Sequence, residues 1–323
     1  MRIFGETLNG QIVHAADLAA HGLTVTVLTR GAVLQDVRLA GCDYGLTIGL
    51  PSVAHYEGAY DYFGAVVGPV ANRLRGAQAR INGTLHRFDA NENGKTTLHG
   101  GTIGLHARIW TVTDQGADHL TLSLDLPDGT DGFPGNRTVT AAFEITEGPA
   151  LTLTLTTTTD AVTIANCTNH AYWNLDGSGT ITGHMLRIAA DHYLPVDADN
   201  LPTGEIAPVA GTAFDFTKAR PVTPAQPPLD HNFCTAMAQQ PLRDVLWLTG
   251  AKGITMTVAT TEPGVQIYDH RSPALPDGTT HAALAIEAQG WPDAPNMTGF
   301  PSIEITPDAP AVQTTRWRFS RPA

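Results

Sequence analysis

Basic residues are scarce in this chain: 19 lysines and arginines stand against 31 aspartates and glutamates, a formal net charge of −12. No run of them follows the spacing of a phosphate backbone, which argues against a nucleic-acid partner. Cysteine is scarcer still. Cys42, Cys167 and Cys234 are an odd number without metal-ligand spacing, so neither a disulfide framework nor a zinc site is indicated. Reduced thiols suit the cytoplasm. No uninterrupted apolar run approaches the ~20 residues of a bilayer span. The opening residues, from Met1 to Glu6, lack the apolar centre of a signal peptide. A soluble cytoplasmic protein that does not enter membranes is expected. Also missing are any helix-period stretch with convincing caps and any fixed-period repeat, which excludes bundles, solenoids and propellers.

What the chain does contain is 32 glycines, 22 prolines and 42% hydrophobic residues, the composition of many short strands joined by turns around a sizeable core. Period-two alternation of apolar and polar residues appears at 22–28, 33–37, 119–126, 138–145, 151–156, 253–258, 265–268 and 282–287. Strand signals therefore dominate throughout. The four prolines between 221 and 228 mark a loop rather than a domain linker. A length of 323 residues is compatible with one large all-β domain, residues 1–323, built as an antiparallel sandwich or barrel.

Four stretches carry chemistry. Residues 166–175, Asn-Cys-Thr-Asn-His-Ala-Tyr-Trp-Asn-Leu, crowd His170 and Tyr172 among amides and hydroxyls near a strand end. A histidine beside aromatics is more often a hydrogen-bonded core residue than a catalyst, and only its company elsewhere in the chain favours a proton donor. Residues 63–76 form a glycine-interrupted apolar run that carries Asn72-Arg73, where the planar guanidinium can hold neighbouring hydroxyls or orient a carboxylate, or merely form a surface ion pair. Residues 91–101 end in Leu98-His99-Gly100-Gly101, a turn that brings His99 to a surface. Residues 284–296 place Glu287 inside an apolar strand. A carboxylate there is expensive unless paired or employed, and partial desolvation between Ile286 and Trp291 suits a general base at neutral pH. Asp230, beside His231 and Phe233, has a turn or cap as its commoner use.

Taken together, 68–73, 98–101, 168–175, 230–233 and 287–296 resemble the aldose 1-epimerase (galactose mutarotase) family in order and rough spacing over nearly the whole chain. Connecting pieces at 131–135, 202–205, 211–216 and 261–268 resemble it too. The resemblance implies a large antiparallel β-sandwich with an open cleft, and an enzyme that interconverts the α and β anomers of free hexoses such as glucose and galactose. It implies no cofactor and no metal. Glu287 matches the general base that takes the proton of the C1 hydroxyl, and His170 the general acid that protonates the ring oxygen. Asn72, Arg73, His99, Tyr172, Asp230 and Gln266 match positions that hold sugar hydroxyls or support the catalytic pair.

The chemistry fits those residue types, because mutarotation is two proton transfers around one weak carbon–oxygen bond. Each positioned transfer contributes roughly 10²–10⁴-fold. The implied partner is a small uncharged monosaccharide, and the chain is expected as a monomer or homodimer. In one place it departs from the family: Gly68-Pro69 stands where Gly-Arg is common, which bears on hexose preference. Two alternatives share the fold: a sugar-binding or sensing protein without turnover, and a hexose-6-phosphate 1-epimerase, which the acidic balance disfavours.

Overall fold

In the computed structural model, which describes residues 1–321, the chain is built almost wholly of antiparallel strands. The only helices among the described residues are five 3₁₀ turns of three or four residues. None is long and apolar enough to cross a membrane. The alternating stretches form the strands they predict: His119–Leu126, Arg137–Thr146 and Ala150–Thr159 pair in sequence as a meander. Inward Leu120, Leu122, Val139, Ala141, Leu153 and Leu155 are buried, and threonines take the other face.

That meander lies in a nine-stranded sheet, which continues through Ala311–Ser320, Thr255–Thr260 and Arg243–Thr249 to an edge at Arg220–Pro221. Pro221 thus belongs to a short edge strand rather than to the loop expected from 221 onward, a position where its missing N–H is harmless. A four-stranded sheet is made by the first part of the chain, Arg2–Glu6 to Val33–Leu39. The main core cluster runs between the layers and draws on Leu18, Val25, Leu122, Phe143, Trp173, Leu246 and Trp317.

A six-stranded sheet positions the chemistry. Its order is Tyr172–Trp173, Leu284–Gln289, Gly264–Tyr268, Asp230–Cys234, His192–Tyr193 and Ala207–Pro208. Register fixes which side chains share a face. Tyr172 opposes Ala285, Ala285 opposes Tyr268, and Tyr268 opposes Asp230; in the adjacent row Glu287 opposes Gln266, and Gln266 opposes Asn232. Residues two apart along a strand point the same way, so both rows face one side of the sheet. Tyr172 and Ala285 of the first row join Phe63, Val67, Ala71 and Ala283 in a second core cluster.

Candidate active site

The rows open onto a cleft of about 600 Å³, lined by Asn72, Arg73, Glu92, His99, His170, Tyr172, Asp230, Arg271 and Glu287 with the rings of Tyr62, Phe63 and Tyr268. Seven of the eight residues expected from the sequence line this one cavity. Gln266 stands behind it, and its Nε2 donates to Asp230 Oδ1 at 2.7 Å. Pro69 is not among the lining residues; its carbonyl accepts the backbone N–H of Asn166 at 2.8 Å.

His170 does not continue the strand Ala150–Thr159 but sits between two-residue strands, Thr168–Asn169 and Tyr172–Trp173. Its backbone is clamped on both sides: His170 N donates to Ala65 O at 2.9 Å and Gly64 N donates to His170 O at 3.0 Å. Gly64 is required there, since it has φ +70° and a Cβ would stand 2.5 Å from Leu34 O. The imidazole stacks on Tyr172 with centroids 5.1 Å apart, and Tyr172 stacks in turn on Phe63 at 4.0 Å. The ring has little freedom to turn away.

Glu287 comes from the second strand of the six-stranded sheet, next to Tyr172–Trp173, and its Oε1 lies 3.5 Å from His170 Nε2. That separation is long for a hydrogen bond. Glu287 Oε2 and His170 Nδ1 are both buried without a hydrogen-bond partner among the described residues. Groups left so in a folded interior are the ones a ligand can satisfy. Burial pushes the Glu287 carboxyl well above its ordinary value, Asp230 adds to the rise, and Arg73 opposes it. Burial pushes His170 down to about 4. The carboxylate is thus sealed rather than partly desolvated as its sequence neighbours suggest. Burial disfavours the charged form of both groups.

Arg73 reaches the cleft with its fork closed on a carboxylate: Nε and Nη2 donate to Glu92 at 2.8 and 2.7 Å, and Thr96 donates to the same group at 2.6 Å. Glu92 was not singled out as a site residue, although it lies in the turn stretch that leads to His99. Tyr62, Tyr268 and Arg271 were also missed; no local pattern marks them.

His99 is held in the left-handed region, φ +52°, facing Asn72 at φ +61°. The two residues are laced together: His99 N donates to Asn72 O at 3.0 Å, and Asn72 N donates to His99 Nδ1 at 3.2 Å. A ring nitrogen that accepts carries no hydrogen, so the hydrogen of this neutral imidazole is on Nε2. Burial, with His170 and Arg73 nearby, holds His99 well below its ordinary value.

The structure also brings His99, His170 and Glu287 within reach of a common ion, with one donor atom of each inside 4.8 Å of the others. Sequence spacing had shown no such set. Two imidazoles and a carboxylate match a known metal-binding donor set. The tautomer of His99 does not fit it: ligation through Nε2 needs the hydrogen on Nδ1, where it would confront the Asn72 N–H. These residues are therefore poorly prepared for a metal.

Comparison with known proteins decides what the cleft belongs to. The aldose 1-epimerase family model matches residues 16–317. The chain belongs to the aldose 1-epimerase family. It is similar to galactose mutarotase of Mus musculus, 33% identical with 98% of this chain and 97% of that protein covered. Among solved structures, an aldose epimerase homologue of C. elegans superposes with a TM-score of 0.89 at 27% identity, covering 96% of this chain and all (100%) of that one. Galactose 1-epimerase of Lactobacillus acidophilus gives a TM-score of 0.86 at 28% identity, with 99% and 98% covered. As a member of the aldose 1-epimerase family the chain is a carbohydrate isomerase with the expected all-β fold.

Proposed function

We propose that the cleft binds a free hexose such as glucose or galactose and exchanges its α and β anomers through Glu287 and His170. The observation that carries this is the buried pair, 3.5 Å apart at the cleft wall, each member with an unsatisfied atom. In one direction Glu287 takes the C1 hydroxyl proton, the oxygen's electrons form the C1 carbonyl, the bond from C1 to the ring oxygen breaks, and that oxygen takes its proton from His170. A half-turn about C1–C2 and reclosure, with the roles reversed, gives the other anomer. The pair carries one proton throughout, on His170 before the ring opens and on Glu287 after, and the second arrangement leaves both groups uncharged, as burial favours. No cofactor enters the scheme.

Asn72, Arg73, His99, Tyr172 and Asp230 are read as holding sugar hydroxyls, and Gln266 as supporting Asp230. His99 enters as an Nε2–H donor. We also read residues 1–323 as one domain, supported by a core cluster that draws on residues from Ala16 to Phe319. The protein is read as cytoplasmic, as a monomer or homodimer, and as binding no nucleic acid, on its acidic balance and reduced cysteines. Polarimetry of freshly dissolved α-D-glucose and α-D-galactose tests the function. Faster approach to anomeric equilibrium in proportion to protein is expected; binding of sugar without any acceleration would leave a sugar-binding protein instead.

A further inference from the structure

Beyond the catalytic pair, the cleft ends at Asp230, read above as holding a sugar hydroxyl, and at a scaffold around it to which that reading gives no part. Asp230 stands on the sheet two strands from Glu287, and the segment that follows Tyr268 carries Arg271 to it. Arg271 Nη2 lies 3.7 Å from Asp230 Oδ2, and its Nε 3.0 Å from Asp269 Oδ1. Nη2 also donates to Leu229 O at 3.4 Å. Asp269 is an anchor. It is 1% exposed, and its Oδ2 accepts the backbone N–H groups of Ala225 and Leu229, both at 3.3 Å. The next turn is fixed as well: Tyr268 Oη donates to Ser272 O at 2.7 Å and accepts from Ser272 N at 2.8 Å.

This scaffold leaves two things open. Nη1 of Arg271 has no hydrogen-bond partner among the described residues, although the side chain lines the cleft. The 3.7 Å gap to Asp230 is too long for a hydrogen bond, so a donor and an acceptor face the same space without meeting. A hydroxyl is the group that satisfies both, accepting from the guanidinium and donating to the carboxylate. An anionic substituent fits less well: Asp230 and Asp269 flank Arg271, and the cleft's other arginine, Arg73, is already closed on Glu92.

We propose that Arg271 is a specificity-determining residue, which with Asp230 grips one sugar hydroxyl remote from C1 and sets the preference among aldoses that differ there. The inference rests on the cleft being the sugar site, as read above. Such a pair discriminates between sugars because an analogue lacking the hydroxyl leaves Oδ2 of the largely buried Asp230 unpaired.

The test uses the parent hexose turned over faster, glucose or galactose, and its 2-, 3-, 4- and 6-monodeoxy analogues. Wild type, Arg271→Ala, Arg271→Lys and Asp230→Asn are compared. Arg271→Ala is expected to raise KM for the parent about tenfold or more, with kcat within about twofold. One analogue alone should be handled equally by wild type and Arg271→Ala, and Asp230→Asn should single out the same one. Arg271→Lys should restore part of the loss. An unchanged KM, or an equal loss on every analogue, overturns the proposal, the second by showing a merely structural role. If wild type is active and Glu287→Gln is not, while Arg271→Ala matches wild type, only this inference falls. A wild type without turnover removes the reading beneath it.

Discussion

His170 Nε2 and Glu287 Oε1 stand 3.5 Å apart, the first just before the strand Tyr172–Trp173 and the second on Leu284–Gln289, which pairs with it, and both side chains are buried. Burial drives their proton affinities in opposite directions, up for the carboxyl and down for the imidazole. Shifts in these opposite directions favour one proton shared between the two groups, the occupancy that an acid–base exchange needs.

The pH dependence of kcat/KM follows from that. On the acid side activity should fall only as His170 takes a second proton, at about pH 4 rather than near its ordinary value of 6.5. The alkaline limb should come from loss of the last proton, well above the ordinary carboxylate range. Stopped-flow polarimetry from pH 3.5 to 10 checks both limbs. An acid limb centred at 6.5 contradicts the burial argument.

Stability should decline in acid for a related reason. Burial lowers His106 to about 3 and His231 to about 4, while the lowering of His170 is offset over the same range by the raised Glu287 carboxyl beside it. A base with a lowered folded pKa binds fewer protons folded than unfolded. Its contribution is complete above pH 6.5 and is lost as pH falls toward the folded value, at up to about 1.4 kcal/mol per pH unit for each histidine. Thermal melts should show Tm dropping steadily between pH 6.5 and 4.5. A flat Tm over that range contradicts it.

Breaking the Arg73–Glu92 fork should injure binding and stability together. The two donated bonds are charge-assisted, and each such bond contributes about 1.5–3 kcal/mol. Glu92→Gln keeps the shape and removes the charge. A Tm lower by a few degrees and a KM raised about tenfold are expected from melts and polarimetry, with kcat changed far less than by Glu287→Gln.

Gly100 ties the backbone to the site. It has φ +85°, and a Cβ would stand 2.0 Å from Gly68 O, so alanine must move either the 68–69 segment or His99 beside it. Gly100→Ala should lower kcat/KM by about 10²-fold, as misplacement of a positioned group by about 1 Å does. Crystallography of the variant should find His99 shifted; unaltered activity would show that its placement is unimportant.

The strands legible in the sequence were those whose two faces differ. Residues 119–126 alternate leucine with polar residues, and the strand His119–Leu126 has those bounds. The strand Ile12–Ala20 was not legible, because alanines at 15, 16, 19 and 20 put small apolar residues on both faces and blur the period of two. For the site, Glu287 announced itself as a charge within an apolar strand, and His170 as a histidine among amides and aromatics. Glu92 and Arg271 gave no comparable signal. A charged residue in a turn is ordinary, and only the folded register brings Arg271 against Asp230.

The most direct measurement is a double-mutant cycle on the catalytic pair: polarimetric kcat for wild type, Glu287→Gln, His170→Asn and the double variant, with sugar affinity measured separately by calorimetry. If the two groups act as one acid–base unit, each single variant loses nearly all turnover while retaining sugar affinity. The double variant should then be no slower than the worse single one. Losses that multiply, or a single variant that keeps most of its turnover, would contradict the claim that Glu287 and His170 exchange the protons of the anomeric reaction between them.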